Sequence, residues 1–126
     1  MITDNNKKNN KYDLEERTAK FGEDIIDLCQ NIQQCFMNRP ILNQLLRSGT
    51  SIGANYMEAN GASSKKDFRN KIYICKKEAQ ETKHWLRMMK KAVSSRKQKI
   101  EYLANEVQEL VFIFQKITSS LDGKKV

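Results

Sequence analysis

Glu81 and His84 stand one helical turn apart in the fragment Glu81-Thr82-Lys83-His84, the carboxylate-plus-imidazole spacing with which carboxylate-bridged di-iron bundles hold metal. A two-metal centre needs that pair twice. His84 is the one histidine of the chain, so a single copy cannot complete the ligand set, and His84 reads as a surface residue. Nucleophilic catalysis lacks its parts as well. Cys29, Cys35 and Cys75 form no CxxC pair, and Cys35 and Cys75 fall on apolar stripes. The single histidine has no orienting partner, and no phosphate-cradling glycine loop is present. No catalytic residue, metal or other cofactor is therefore expected; an enzyme would have to share its site between subunits.

Two other constellations carry charge at helical spacing. Arg47, Ser51, Asn55 and Glu58 recur at steps of four, four and three, so they share one side of a helix. Such a line needs partners, and hydrogen bonds or ion pairs with Glu78 or Glu81 beside Trp85 supply them at a helix or subunit junction. The competing reading is an anion or nucleic-acid contact through Arg47. The second constellation is Lys66, Arg69, Tyr73, Lys76, Gln80, Lys83, Arg87 and Lys90, again at threes and fours. At 1.5 Å per residue it runs for roughly 36 Å, long enough to meet several phosphates, with Tyr73 available to stack on an unpaired base. The plainer reading is a solvated helix face, since the chain carries 17 lysines against six arginines.

The elements that must position these residues follow from hydrophobic periodicity. Phe21, Ile25, Leu28, Ile32 and Cys35 alternate by four and three from Asp13 onward, which predicts a first helix ending near Phe36. Pro40 suits the first turn of a second helix, whose face reads Leu42, Leu45, Gly49, Ile52, Tyr56 and Ala59. Gly49 and Gly53 inside it predict close contact with a neighbour. Gly61 and Ser64 bracket a turn, Ser64 as N-cap, before a third helix with Phe68, Ile72, Cys75, Ala79, Thr82, Leu86, Met89 and Val93 on its core side. Beside that seam, Ile74, Glu78, Glu81, Trp85 and Met88 form an extra stripe that an oligomer interface would use. A polar turn at Ser94, Ser95 and Arg96 leads to a fourth helix through Ile100, Leu103, Val107, Leu110, Phe114, Ile117 and Leu121.

The fold class is thus all-α, an up-down-up-down four-helix bundle over residues 13–121, with a polar tail at 1–12 and a short one at 122–126. One core suffices for 126 residues, and 39% hydrophobic with 30% charged residues describes a soluble helical protein. Without a secretory signal or an apolar run of membrane-spanning length, the expected location is the cytoplasm and no membrane partner is expected. The net charge of +8 favours an acidic partner. Residues 65–99 hold 13 Lys or Arg against Asp67, Glu78 and Glu81, so the third segment alone makes the chain basic.

The run from Leu45 to Ala59 with Arg47, Ser51-Ile52, Asn55 and Glu58, then Asp67-Phe68, Lys77-Glu78-Ala79-Gln80-Glu81-Thr82 and Trp85-Leu86, resembles the four-helix-bundle family of 23S rRNA intervening-sequence proteins. The likeness spans about residues 20–120, with His84 where a tyrosine is common. It implies a bacterial protein, a closed bundle and a homopentamer. A similar fold, the accessory variability determinant of diversity-generating retroelements, forms a basic pentamer that engages a reverse transcriptase and its RNA; that kinship bears on function by analogy alone.

The functional expectation is a non-enzymatic homo-oligomer that binds RNA or single-stranded DNA through Lys66, Arg69, Tyr73, Lys76, Lys83, Arg87 and Lys90, as accessory to a nucleic-acid enzyme such as a reverse transcriptase. The competing expectation is a structural or protein-binding oligomer working through Trp85 and the Arg47 to Glu58 line.

Overall fold

The computed structural model describes residues 13–123. They form four helices, α1 (Leu14–Gln30), α2 (Arg39–Asn60), α3 (Lys65–Ala92) and α4 (Lys97–Leu121), and no strand occurs among them. The tail expected at 1–12 and residues 124–126 of the C-terminal one lie outside the described residues.

Each helix packs antiparallel on the next, and α4 returns to α1. Gly49 and Gly53 of α2 lie against Ile25 and Thr18 of α1. On the next seam, Ser48 and Glu58 of α2 meet Thr82 and Lys71 of α3. The ring closes through Arg17 of α1, whose guanidinium grips Glu106 of α4 at 2.7 and 3.0 Å and reaches Glu109 at 2.6 Å. That fork of charge-assisted bonds clamps the seam along which the two helices have least in common. Inside, Phe21, Ile25, Leu45, Ile52, Ile72, Leu86, Met89, Leu103, Leu110 and Phe114 are fully buried, each contributing roughly 1.5–3 kcal/mol by leaving water. A polar knot in the core is the hydroxyl pair of Ser48 and Thr82, 2.9 Å apart, with Thr82 Oγ1 within 2.8 Å of Glu78 O.

α1 stops at Gln30, earlier than its apolar spacing predicts. The side chain of Asn38, only 3% exposed, accepts from Cys35 N at 2.9 Å and donates to Gln33 O at 3.0 Å. A short amide that satisfies loop backbone in this way competes with continued helix. Ile32 is still buried, but Cys35 leaves the core stripe and is exposed, together with Phe36 and Met37. Cys75 is buried and Cys29 half-buried.

The other boundaries have local causes. Pro40 sits in the first turn of α2. Ser64 Oγ accepts from Asp67 N at 3.0 Å, capping α3. Gly61 follows α2 with φ −96°, so this turn uses no left-handed residue. Arg96, ahead of α4, is left-handed at φ +65°, and its Nε donates to Asn31 O at 3.1 Å, fastening the α3–α4 turn to the end of α1.

Candidate nucleic-acid interface

α3 carries ten Lys or Arg against three acids, whereas α1 carries five acids against two cations. α3 and α1 are diagonal neighbours in the bundle, so opposite charge sits at opposite corners.

The basic stripe divides into two lanes, each stepping by seven residues. Arg69, Lys76, Lys83 and Lys90 lean over the α3/α4 seam and donate to Asp122, Gln115, Gln108 and Glu101. Donors rise by seven along α3 while acceptors fall by seven along α4, so the four contacts form a ladder with a rung about every 10.5 Å. Lys66, Tyr73, Gln80 and Arg87 make the second lane and are exposed. The whole stripe was expected to point away from the bundle; its first lane instead bridges two helices, because flanking positions of an antiparallel seam bring long side chains within reach of each other.

The rungs differ in charge. Arg69 and Lys90 are compensated by carboxylates, and the bond to Asp122 raises the Arg69 pKa. Lys76 and Lys83 bond neutral amides and keep their full charge, and Arg87 has no ion pair among the described residues. Lys76, Lys83 and Arg87 are therefore the uncancelled centre of the stripe, with Lys66 at its far end. Tyr73 is less open than expected: the Arg69 guanidinium lies 4.8 Å from its ring centre, and its hydroxyl donates to Asp122 at 3.4 Å. One face of the ring is covered by Arg69, so stacking there is confined to the other face of a side chain that is 39% exposed.

Spacing by threes and fours along one line passed over a second exposed row, Lys77, His84 and Lys91, which flanks the outer lane. The heptad step that relates these three residues was the available signal. Between the last two rungs the seam opens into a groove of about 500 Å³. Leu86, Ile100 and Ala104 line its apolar part, and Lys83, Arg87 and Lys90 its charged part.

The α2/α3 line is organised differently. Arg47 forks between Glu78, at 3.2 Å, and Glu81, with Nε donating to Gln44 at 3.2 Å. Trp85 Nε1 donates to Glu81 at 3.1 Å. Hydrogen bonds from Trp85 and then Arg47 hold the Glu81 carboxyl below its ordinary value, and Glu81 in turn raises Arg47. Ser51 and Asn55 do not join this network: they donate to the backbone of their own helix, to Arg47 O at 2.6 Å and Ser51 O at 2.8 Å. Glu58 pairs with Lys71 at 2.9 Å. Ile74, Trp85 and Met88 of the extra stripe are half-buried and Glu78 is buried, so the bundle itself uses much of that face.

The Glu-x-x-His pair is split between seams. Glu81 is engaged on the α2 side, while His84 is exposed beside the α3/α4 groove with its ring edge-on to Trp85, 4.9 Å between centres. Among the described residues no group of three His, Cys, Asp or Glu is arranged to hold a metal ion. Burial pushes the Cys29 thiol up to about 11 and the Cys75 thiol up to about 12, away from nucleophilic use near neutral pH. No helix of the described residues is long and apolar enough to cross a membrane.

No curated protein matches the chain. Among solved structures, a protein of unknown function from the S23 ribosomal protein family of Bacteroides thetaiotaomicron VPI-5482 is similar, with a TM-score of 0.74 and 34% identity over 82% of this chain and 96% of that one. The family described as 23S rRNA-intervening sequence protein matches residues 10–116. With that match over most of its length and four helices of the same bundle architecture, the chain belongs to the 23S rRNA-intervening sequence protein family.

Proposed function

We propose that this protein is a non-enzymatic, cytoplasmic bundle that assembles from copies of itself and binds RNA or single-stranded DNA along α3, as accessory to a nucleic-acid enzyme such as a reverse transcriptase. The observation that carries this reading is the uncompensated charge of Lys76 and Lys83, held along one seam by contacts with α4, with exposed Arg87 beside them. Cations ordered in advance lose less freedom on meeting a phosphate, and each one neutralised releases a counterion. A family named for intervening sequences of 23S rRNA supports an RNA context.

Self-association, a homopentamer by resemblance, draws support from a second observation. Exposed Ile26, Leu46 and Met57 mark an apolar strip on the α1/α2 side, at the acidic corner of the bundle. Contact of that corner with the basic corner of another copy pairs unlike surfaces, the head-to-tail arrangement that closes into rings. Sedimentation velocity tests it: a species of five chain masses is expected, and a monomer at all concentrations refutes it. Multiple copies would multiply weak stripes into one strong polyanion-binding surface.

The test of binding is fluorescence anisotropy of a labelled structured RNA and a labelled single strand at two salt concentrations, with wild type beside a Lys76→Glu, Lys83→Glu, Arg87→Glu triple variant. Three phosphate contacts per copy predict a log–log salt slope of about −2 on a single strand. Loss of binding in a triple variant of unchanged sedimentation and helicity supports α3 as the working surface. Binding that is absent at low salt, or unchanged in the variant, refutes it and favours the protein-binding reading centred on Arg47 and Trp85.

A further inference from the structure

We infer that the groove between the Lys83–Gln108 and Lys90–Glu101 rungs seats a single unpaired nucleotide, its base against the apolar lining and its phosphates on the cations. This rests on the nucleic-acid reading above and narrows it to strands with a base free to leave the stack.

The volume of about 500 Å³ falls within the range of roughly 300–1,000 Å³ usual for small-ligand pockets. Its accessible apolar surface comes from half-buried Ala104 and the aliphatic stems of Lys83, Arg87 and Lys90, with Leu86 and Ile100, 0% and 1% exposed, closing the floor beneath them. Ala104 is what makes the hollow. Its heptad equivalents further along α4 are Val111 and Thr118, both larger and both buried. The charged part holds Lys83, Arg87 and Lys90 against the single carboxylate of Glu101, a surplus of two positive charges. His84 lies at the rim, its ring oriented by the edge-on contact with Trp85. Gln80 adds an amide able both to donate and to accept.

Apolar floor, aromatic ring and convergent cations together are the complement of one nucleotide: a π-face, an edge with donors and acceptors, and an anionic backbone. A stacked duplex offers only its phosphates to such a groove, since its bases cannot enter. Sugar chemistry is not discriminated by these groups, so ribo- and deoxyribonucleotides share the site.

The decisive experiment uses the full chain with two probes, a fluorescein-labelled mixed-sequence single-stranded RNA and the same strand annealed to its complement. Ala104→Met fills the hollow without changing charge, and His84→Ala removes the ring at an exposed position, with unchanged helicity and urea midpoint confirming that the lost contact with Trp85 leaves the fold intact. Each variant is expected to weaken single-strand binding by about tenfold, in line with one lost stacking contact, while leaving duplex affinity and its salt slope unchanged. Lys83→Glu with Arg87→Glu weakens both probes. Single-strand affinity within twofold of wild type in both neutral variants, with binding still lost on charge reversal, overturns the nucleotide seat and leaves the broader reading standing. Indifference of both probes to charge reversal overturns the two together. A DNA strand of the same sequence binding equally well is the expected result for sugar.

Discussion

Replacing Gly49 with alanine sets helix propensity against packing. In a helix interior the substitution alone favours folding by about 1 kcal/mol, because glycine loses more backbone freedom. At position 49, however, a Cβ would lie 2.8 Å from Ile25 Cγ1, 3.0 Å from Cγ2 and 3.3 Å from Cβ. Ile25 is fully buried and β-branched, so it has no spare rotamer into which to retreat. Forcing a methyl into such a site costs typically about 1–3 kcal/mol, which leaves Gly49→Ala net destabilising by about 1 kcal/mol. Gly22, across the same helix pair, supplies the control. A Cβ there meets nothing nearer than 3.6 Å, so Gly22→Ala keeps the propensity gain and stabilises by up to about 1 kcal/mol. The two variants should therefore differ by about 2 kcal/mol in opposite directions. Urea unfolding followed by circular dichroism, at one protein concentration and with unchanged m-values, measures the difference. A Gly49→Ala protein as stable as Gly22→Ala would refute the close approach of α1 and α2 at Ile25.

Three further outcomes follow from the described contacts. One thiol per chain should react rapidly with Ellman's reagent in native protein and three in denaturant, the rapid one vanishing in Cys35→Ser, since Cys35 is exposed while burial raises Cys29 and Cys75. Glu81 is held below its ordinary pKa, so its contribution to stability is complete above the unfolded carboxylate value near about 4.3 and is lost as pH falls through the lower folded value. The stability gap between wild type and Glu81→Gln should therefore be largest above about pH 5 and narrow toward pH 3; a gap that widens in acid contradicts the network. Thr82→Val should cost about 1–2 kcal/mol by leaving the buried Ser48 hydroxyl with only its 3.5 Å contact to Leu45 O, and adding Ser48→Ala should cost less than the sum of the single changes in a double-mutant cycle on urea midpoints.

Most of the fold was legible because α2, α3 and α4 each keep one apolar stripe at steps of three and four, and residues such as Leu45, Ile72 and Leu103 bury as that spacing requires. α1 was overextended for a reason outside periodicity. Ile32 and Cys35 stay in step with the stripe, while what ends the helix is the Asn38 side chain, which reaches back to Gln33 and Cys35. The left-handed Arg96 likewise has no signature in a polar turn. For the candidate interface, the residues were visible and their division was not. A single list at threes and fours merges the Arg69 lane with the Lys66 lane; separating them requires noticing that Glu101, Gln108, Gln115 and Asp122 repeat by seven in the opposite sense. The groove depends on the size of one side chain, Ala104, set between two rungs, and no pattern of polarity reports that.

The matched sevens of the α3–α4 ladder constrain how this gene can change length. One inserted codon within α3 swings everything beyond it by about 100° around the helix axis and carries the remaining donors off their acceptors, so single-residue indels in either helix should be strongly selected against. The connection at Val93 to Arg96 carries no rung and is the place where length variation is harmless to the register. A longer hairpin is reachable only by adding seven residues to both helices at once, a paired duplication that would append one more rung and, where the new fourth-helix residue is as small as Ala104, one more hollow.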